Sequence, residues 1–201
     1  RFGVVRQSHR NTYEYEEFFR PFAEKYAAVV HISLGSGFSS SFQNAQLAAS
    51  QWENVYVIDS QNLSTGSGYL VLEAAAMATE GADPIAIREQ LETQRPFIDA
   101  SFVVDRLDYL HKGGRCSGIQ MIGGTVLRIK PRIEVHHGKM IVGTRYRGSL
   151  ERSLHKYVND KLADANDIDH SRILLNHALC PPDLLATVRK HILESIPFAE
   201  I

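Results

Sequence analysis

The chain has little cysteine, no long apolar run and no excess of charge of one sign. Its 201 residues include two cysteines, Cys116 and Cys180, which are too far apart for a CxxC metal or redox pair and too few for a disulfide framework. No apolar run reaches the roughly 18–20 residues that a membrane-spanning helix needs. A formal net charge of −1 argues against a general nucleic-acid or membrane-surface binder. Residues 1–20 are polar and charged, unlike a signal peptide, so we expect a cytoplasmic protein.

Motifs of the common catalytic sites are also absent. Gly35-Ser36-Gly37 and Gly66-Ser67-Gly68 complete neither GxGxxG nor GxxxxGK[ST], which argues against nucleotide binding through these motifs. There is no GxSxG, and no sequence pattern supports a serine–histidine catalytic triad. His136-His137 falls in a predicted turn, where neighbouring side chains point apart, so a metal pair is disfavoured. We therefore expect neither a metal nor a cofactor.

The stretch from Val29 to Ala45 contains the most specific pattern in the chain. A β-branched apolar run at 29–32 predicts a buried strand, residues 33–41 are small and rich in hydroxyls, and a helical pattern begins at Phe42. A strand, a Gly/Ser loop and a helix N-terminus form an anion site, because the first helical N–H groups lack partners and the macrodipole favours negative charge. The same residues also fit a serine N-cap on an ordinary βα turn, and this stretch alone favours that simpler interpretation.

A second strand and polar loop follow the same plan. Val55–Ile58 predicts a buried strand, and the loop after it runs from Asp59 to Gly68. Asp59 is either a catalytic carboxylate or a cap for this loop, and its position favours capping. Helices at 69–80 and 84–94 and a strand at 100–104 complete a strand–helix order that predicts a parallel sheet. Ligands of such sheets bind beyond the carboxyl ends of the strands, where both loops lie.

The second half of the chain has a different pattern. It predicts a short helix at 105–112, a β-hairpin formed by residues 128–147, a helix at 150–162, a strand at 172–177 and a last helix at 181–194. The change of pattern predicts an α/β fold with a mainly parallel lobe at residues 1–105 and an α+β lobe containing the hairpin at residues 106–201.

The segment from Lys112 to Arg115 is the basic segment that best suits an anionic ligand. Its two glycines permit a sharp turn and a close approach to a ligand, and Arg115 offers a bidentate fork to a carboxylate or phosphate. A helix C-cap flanked by basic residues is the alternative, and it would be favoured if the segment stood alone. The two hydroxyl-rich loops elsewhere add weight to ligand binding.

Four segments of the chain match, in order, the motifs of one family. Ile32 to Ala45 matches I-S-x-S-S-x-L-S-G-T-Y-Q-S-A, and Val57 to Gly68 matches V-x-D-S-x-x-x-S-x-G-x-G. Leu107 to Ser117 matches L-x-Y-L-x-K-G-G-R-I-S, and Leu127 to Gly148 matches L-x-I-K-P-x-L followed by G-x-I and R-G. Through these segments the chain resembles the DegV family, bacterial fatty-acid-binding proteins that include the acyl-carrying subunit of fatty acid kinase.

The resemblance implies the two-lobed DegV fold, also called the EDD fold, with a long-chain fatty acid between its lobes. Ser39 matches the serine that holds the carboxylate. Ser36, Gly37, Ser40 and Ser41 lie in the same loop and are expected to contribute, with Ser40 and Ser41 in place of the family's Gly-Thr.

Two more ligand-binding residues follow from the resemblance. Arg115 matches the arginine at the polar end of the site, and Ser8 stands near the position of a hydroxyl ligand ahead of the first helix. The family's opening strand and its closing H-x-G-P-G segment are not found, which implies a piece truncated at both ends.

The residues and the resemblance together predict a lipid-binding carrier, not an enzyme. It would present the carboxylate of a fatty acid to a partner fatty acid kinase and contact a membrane peripherally during lipid exchange. One alternative is a small serine hydrolase or acyl-transferase that uses Ser36, Ser39 or Ser64. Another is a binder of a different small amphiphile or a phosphorylated metabolite.

Overall fold

The computed structural model describes residues 10–106, 108–114, 116–117 and 129–201 of the chain. The chain divides into two compact units. The first comprises the chain up to Asp99 together with His137–Lys139, and the second comprises Ala100–His136 and Met140–Ile201. The two lobes predicted as residues 1–105 and 106–201 stay a prediction. In the described ranges, no helix is both long and apolar enough to cross a membrane.

The first unit has a two-stranded parallel sheet between two pairs of helices. Its strands pair in register from Val29 with Val55 to Ser33 with Asp59. The elements, in chain order, are α1 Thr12–Ala23, β1 Val29–Ser33, α2 Ser41–Ala49, β2 Val55–Asp59, α3 Ser64–Thr79, α4 Pro84–Gln94 and a 3-10 turn Arg95–Phe97.

Two apolar clusters lie on opposite faces of this sheet. Val55 packs with α1 and α2 residues such as Phe19 and Ala48, whereas Ile58 packs with α3 and α4 residues such as Leu70 and Leu91. Val55 and Ile58 are an odd number of positions apart on one strand, so their side chains point to opposite faces. Because both faces are covered, the strands read as continuous apolar runs rather than as alternating patterns.

Two of the helices begin where their caps predict. Asn11 and Glu14 form a capping box before α1, in which each side chain accepts a hydrogen bond from the other residue's backbone N–H. Asp83 accepts from the Ile85 N–H before α4, and Pro84 stands at the first helical position. The predicted start of the helix at residue 84 is confirmed.

The second unit contains a four-stranded mixed sheet and two long helices. The strand order is β3–β5–β6–β4, with β3 antiparallel to β5 and β4 parallel to β6. The elements are β3 Ser101–Val103, α5 Asp108–Gly113, β4 Cys116–Ser117, β5 Ile129–His136, β6 Lys139–Arg147, α6 Leu150–Lys161, a 3-10 turn Ala165–Asp167 and α7 Pro182–Ser195.

The predicted hairpin is confirmed. β5 and β6 are neighbours in the sheet, joined by His137 and Gly138, which both have positive φ, 46° and 72°. Two consecutive residues with positive φ are the signature of a type I′ turn, whose twist matches that of the flanking strands.

Three sequence predictions about elements are wrong. The strand near 100–104 does not join the parallel sheet, because Ser101–Val103 pairs antiparallel with β5 and Tyr157 bonds to both the carbonyl and the hydroxyl of Ser101. The strand predicted at 172–177 is reduced to one bridge between Arg172 and Glu200, since this apolar run packs into the cluster formed with α6 and α7. Finally, α3 begins at Ser64 and not at Tyr69, so part of the predicted second loop is helical.

Candidate functional site

The serine loop, residues 34–40, connects β1 to α2 and is fixed to the end of β2. The Ser36 backbone N–H donates to Asp59 Oδ1 at 3.0 Å, and the Ser36 hydroxyl donates to Asp59 Oδ2 at 2.6 Å. Gly35 N–H donates to the Asn62 carbonyl at 2.9 Å. A β-carbon at Gly35 would lie 2.8 Å from Asn62 N, so only glycine allows this approach. The parallel pairing of β1 and β2 places both loops at one edge of the sheet, as the sequence predicts.

Ser39 and Ser41 form a pair of hydroxyls at the start of α2. Ser39 Oγ donates to Ser41 Oγ at 2.8 Å and accepts from the Ser41 backbone N–H at 3.1 Å. This leaves the Ser41 hydroxyl proton available to a further acceptor. Ser40 holds the N-cap position, yet its side chain makes no capping bond. The serine N-cap expected from the simpler interpretation is therefore not formed by Ser40.

The start of α2 carries no acidic residue in its first turn. The positive end of the helix macrodipole is therefore not neutralised by the helix itself. First-turn N–H groups of a helix have no intrahelical acceptor and can bind an anion, although that of Ser41 already donates to Ser39 Oγ. The Ser41 hydroxyl proton, which Ser39 orients, thus lies beside the remaining first-turn N–H groups of α2.

The second loop, residues 60–63, uses its polar groups internally. The buried Ser60 hydroxyl donates to the Asn62 carbonyl at 3.0 Å, accepts from Asn62 N–H at 3.1 Å and lies 2.9 Å from Ser67 Oγ. Gly66 is the first-turn residue of α3 that leaves room for Asn62, because a β-carbon there would overlap the Asn62 side-chain amide. The bonds of Ser60 thus stabilise this loop, which in turn supports the serine loop.

The hairpin turn belongs to the first unit and touches the serine loop there. A β-carbon on Gly37 would overlap the carbonyl oxygen of Gly138. Gly138 in turn lies close to Gln61, because a β-carbon added to Gly138 would be 3.5 Å from the Gln61 side chain. Position 37, where we expect a ligand-binding residue, therefore requires glycine for this close contact with the hairpin turn.

A half-buried histidine lies on the strand that leads to the serine loop. His31 packs against the rings of Tyr15 and Phe19, with centroids 5.5 and 5.2 Å away. Burial, with a smaller contribution from the charge of Arg10, lowers the pKa of His31 to about 4. Its Nε2 has no hydrogen-bond partner among the described residues. In the sequence, the position of His31 inside the apolar run Val29–Ile32 indicates that its side chain is shielded from solvent.

The structure brings together most of the predicted site residues. Ser36, Gly37, Ser39, Ser40 and Ser41 share the serine loop and the start of α2. Ser8 and Arg115 lie outside the described residues. Sequence reasoning missed the role of Asp59 in holding Ser36, although its position at a strand end was the available signal.

The described part of the chain offers no metal site. None of its groups of histidine, cysteine, aspartate and glutamate has three members placed to hold an ion. Cys180 is a free thiol.

Comparison with known proteins decides the family. The family model described as "uncharacterised protein, DegV family" matches residues 5–201. The chain belongs to the DegV family. A DegV domain-containing protein of Caldanaerobacter subterraneus is 37% identical over 137 residues, covering 67% of this DegV chain and 49% of that protein. One of Halalkalibacterium halodurans is 36% identical over 128 residues, covering 63% of this chain and 45% of that protein. This DegV chain thus spans about half the length of these curated relatives.

Solved DegV structures share the fold. A Thermus thermophilus DegV protein, described as fatty-acid binding, superposes with a TM-score of 0.77 at 28% identity, over 94% of this DegV chain and 67% of that one. A Ruminococcus gnavus DegV protein, described with vaccenic acid, reaches a TM-score of 0.82 at 21% identity, over 96% of this chain and 69% of that one. The predicted DegV-like α/β fold is confirmed.

Proposed function

We propose that this DegV chain binds a long-chain fatty acid whose carboxylate is held at the start of α2. The observation that carries the proposal is the Ser39–Ser41 hydroxyl pair at a helix N-terminus without an acidic residue in its first turn. The fatty-acid binding described for the Thermus thermophilus relative supports the choice of ligand.

A carboxylate removed from water must receive hydrogen bonds or take up a proton. The Ser41 hydroxyl and first-turn N–H groups of α2 supply donors. Ser36 does not, because its hydroxyl proton is directed to Asp59. The acyl chain would supply most of the affinity, at ~0.8 kcal/mol for each CH₂ that leaves water. We therefore assign head-group recognition to the Ser39–Ser41 pair, in which Ser39 orients the Ser41 hydroxyl that donates to the carboxylate, with Ser40 and Gly37 shaping the loop.

The resemblance supplies the rest of the proposed site and role. Arg115 would pair with the carboxylate at the polar end, and Ser8 would add a hydroxyl. We infer a cytoplasmic carrier that needs no cofactor, contacts a membrane transiently during lipid exchange and presents the carboxylate to a fatty acid kinase. Ser36 and Ser39 donate to Asp59 and Ser41, not to a histidine, which favours a carrier over a serine hydrolase.

The test is native mass spectrometry of the purified chain, followed by lipid extraction under denaturing conditions. A stoichiometric fatty acid is expected in the wild-type protein. Ser41→Ala is expected to weaken fatty-acid binding by about tenfold, the effect of one hydrogen bond to a charged group. Ser39→Ala is expected to weaken it in the same direction, because it removes the hydroxyl that orients Ser41.

Ser50→Ala is the matched control, because Ser50 lies at the other end of α2 and its hydroxyl bonds to the Leu47 carbonyl. It is expected to leave the lipid content unchanged. Equal lipid content in all three variants would contradict the head-group assignment. Covalent labelling of Ser36, Ser39 or Ser64 by a serine-directed probe would favour the hydrolase alternative instead.

A further inference from the structure

The carboxylate of Asp59 joins the serine loop to the second loop. Its Oδ1 accepts from Ser36 N–H at 3.0 Å and from Gln61 N–H at 2.9 Å, and its Oδ2 accepts from the Ser36 hydroxyl at 2.6 Å. Two of these donors are backbone groups, so the bonds fix the path of both loops and not only a side chain. Hydrogen bonds to a carboxylate are about twice as strong as neutral ones.

The main chain of Asp59 is itself held in place. It is the last residue of β2 and pairs with Ser33 in the parallel ladder. Arg95 Nη1 donates to the Asp59 carbonyl at 2.8 Å. The carboxylate is therefore attached to a rigid part of the first unit, from which it can impose a position on a loop that has no regular structure.

Ser36 is three residues before Ser39, and the segment between them is short and tightly placed. Phe38 is buried and its N–H donates to the Gly35 carbonyl, while Gly37 lies against Gly138. A displacement of Ser36 would consequently be transmitted to Ser39 and to the first turn of α2. Hydrogen bonds that select a ligand lose much of their effect when the donors are misplaced by about 1 Å.

We propose that Asp59 is a positioning residue that aligns the serine loop for a carboxylate and so sets the preference for an acid over a neutral head group. It does this without contacting the ligand. The inference rests on the proposed fatty-acid site. It assigns to Asp59 a role in selectivity, which differs from a role in stability because the two predict different effects on ligands with different head groups.

The test compares two probes of equal chain length, palmitic acid and hexadecanol, by their affinities for the same protein. Wild type is expected to prefer the acid. Asp59→Ala is expected to reduce the acid-to-alcohol affinity ratio by about tenfold or more, while the alcohol affinity changes little. Equal weakening of both probes would overturn the inference, since it would show a structural role only.

Asp59→Asn is the conservative variant. Its amide oxygen can still accept from the Ser36 and Gln61 N–H groups, so it is expected to keep most of the acid preference. Ser36→Ala removes one of the three bonds and is expected to lower the ratio in the same direction as Asp59→Ala. If Asp59→Ala does not fold, an unchanged ratio in Ser36→Ala would still overturn the inference.

Asp83→Ala is the matched control. Asp83 also accepts a backbone N–H, but at the start of α4, so its loss should lower stability without changing the ratio. A wild-type protein without acid preference would contradict the proposed head-group site itself. A wild type that prefers the acid, together with an Asp59→Ala variant that prefers it equally, would overturn only the role of Asp59.

Discussion

At the scale of single residues, serines with similar sequence surroundings have different roles. Ser36 and Ser60 are committed to loop structure, through Asp59 and Asn62, whereas the Ser41 hydroxyl keeps a proton to donate. The sequence identifies all of them as small hydroxyl residues near a helix start. Only the geometry of their hydrogen bonds separates the structural ones from the candidate ligands, because a hydroxyl proton serves one acceptor at a time.

His31 should make the stability of the protein depend on pH. Because its folded pKa, about 4, is below the ordinary value of 6.5, the unfolded chain binds the proton more tightly. Stability is fully present above pH 6.5 and falls as the pH drops towards 4, by up to about 3 kcal/mol. His31→Leu is expected to remove this part of the loss, as measured by urea denaturation from pH 7 to pH 4.

The control for this prediction is His177→Gln, because His177 is exposed. It should leave the pH dependence as in wild type. An identical acid-induced loss of stability in wild type and His31→Leu would show that other groups cause it.

Two Gly→Ala substitutions should have opposite effects. At Gly37 the new methyl group overlaps the Gly138 carbonyl, so Gly37→Ala is expected to lower stability and fatty-acid retention. At Gly68, inside α3, a β-carbon meets no atom within 4 Å, so Gly68→Ala should raise stability by roughly 0.5–1 kcal/mol. Chemical denaturation of both variants measures the difference. A neutral Gly37→Ala would mean that the hairpin turn does not constrain the serine loop.

At the scale of elements, local signals determine where helices and turns begin. The capping box before α1 and the Asp-Pro start of α4 are short-range patterns, which the sequence reveals directly. In contrast, the start of α3 depends on Asn62, whose side chain occupies the space above Gly66. Gly66 and Gly68 suggest a loop, but both lie in α3, where Gly66 leaves room for the side chain of Asn62.

Removal of the α1 cap should destabilise the first unit. Asn11 Oδ1 accepts from Glu14 N–H at 2.9 Å, and Glu14 Oε2 accepts from Asn11 N–H at 2.7 Å. Asn11→Ala is expected to cost about 1 kcal/mol of unfolding free energy, whereas Asn11→Asp keeps the acceptor and should cost little. Equal losses in the two variants, measured by urea denaturation, would contradict a capping role.

The hairpin turn should discriminate between side chains at position 137. His137 has a φ of 46°, a region that asparagine tolerates and β-branched residues avoid. His137→Asn is therefore expected to retain stability, and His137→Val to lose roughly 1–2 kcal/mol. Thermal unfolding of the two variants tests this, and equal melting temperatures would argue against a type I′ turn in solution.

At the scale of the whole molecule, the proposed ligand should contribute to stability by mass action. A ligand that binds only the folded state adds about 2.7 kcal/mol when its free concentration is 100 times its dissociation constant. Extraction of lipid is thus expected to lower the melting temperature, and added palmitic acid to restore it. The Ser39→Ala protein should show a smaller restoration than the Ser50→Ala control. A melting temperature that does not respond to palmitic acid would contradict fatty-acid binding.

The sequence by itself determined the local elements, the family and the loop that carries the candidate head-group site. Periodicity, caps and turn residues act over a few positions, so β1, β2, the hairpin and the helices, apart from the start of α3, were predictable from them. The four collinear motifs, from Ile32 to Gly148, were sufficient to indicate the DegV family.

Tertiary structure decided which strands pair and which polar groups remain available. The partner of Ser101–Val103 is a strand some thirty residues later, and the Arg172 segment packs into a core instead of extending a sheet. Likewise Asp59 and Ser36 are 23 positions apart, so their hydrogen bonds follow from the parallel pairing of β1 with β2 and not from any local pattern. Contacts of this kind depend on packing between distant segments, which local propensity does not encode.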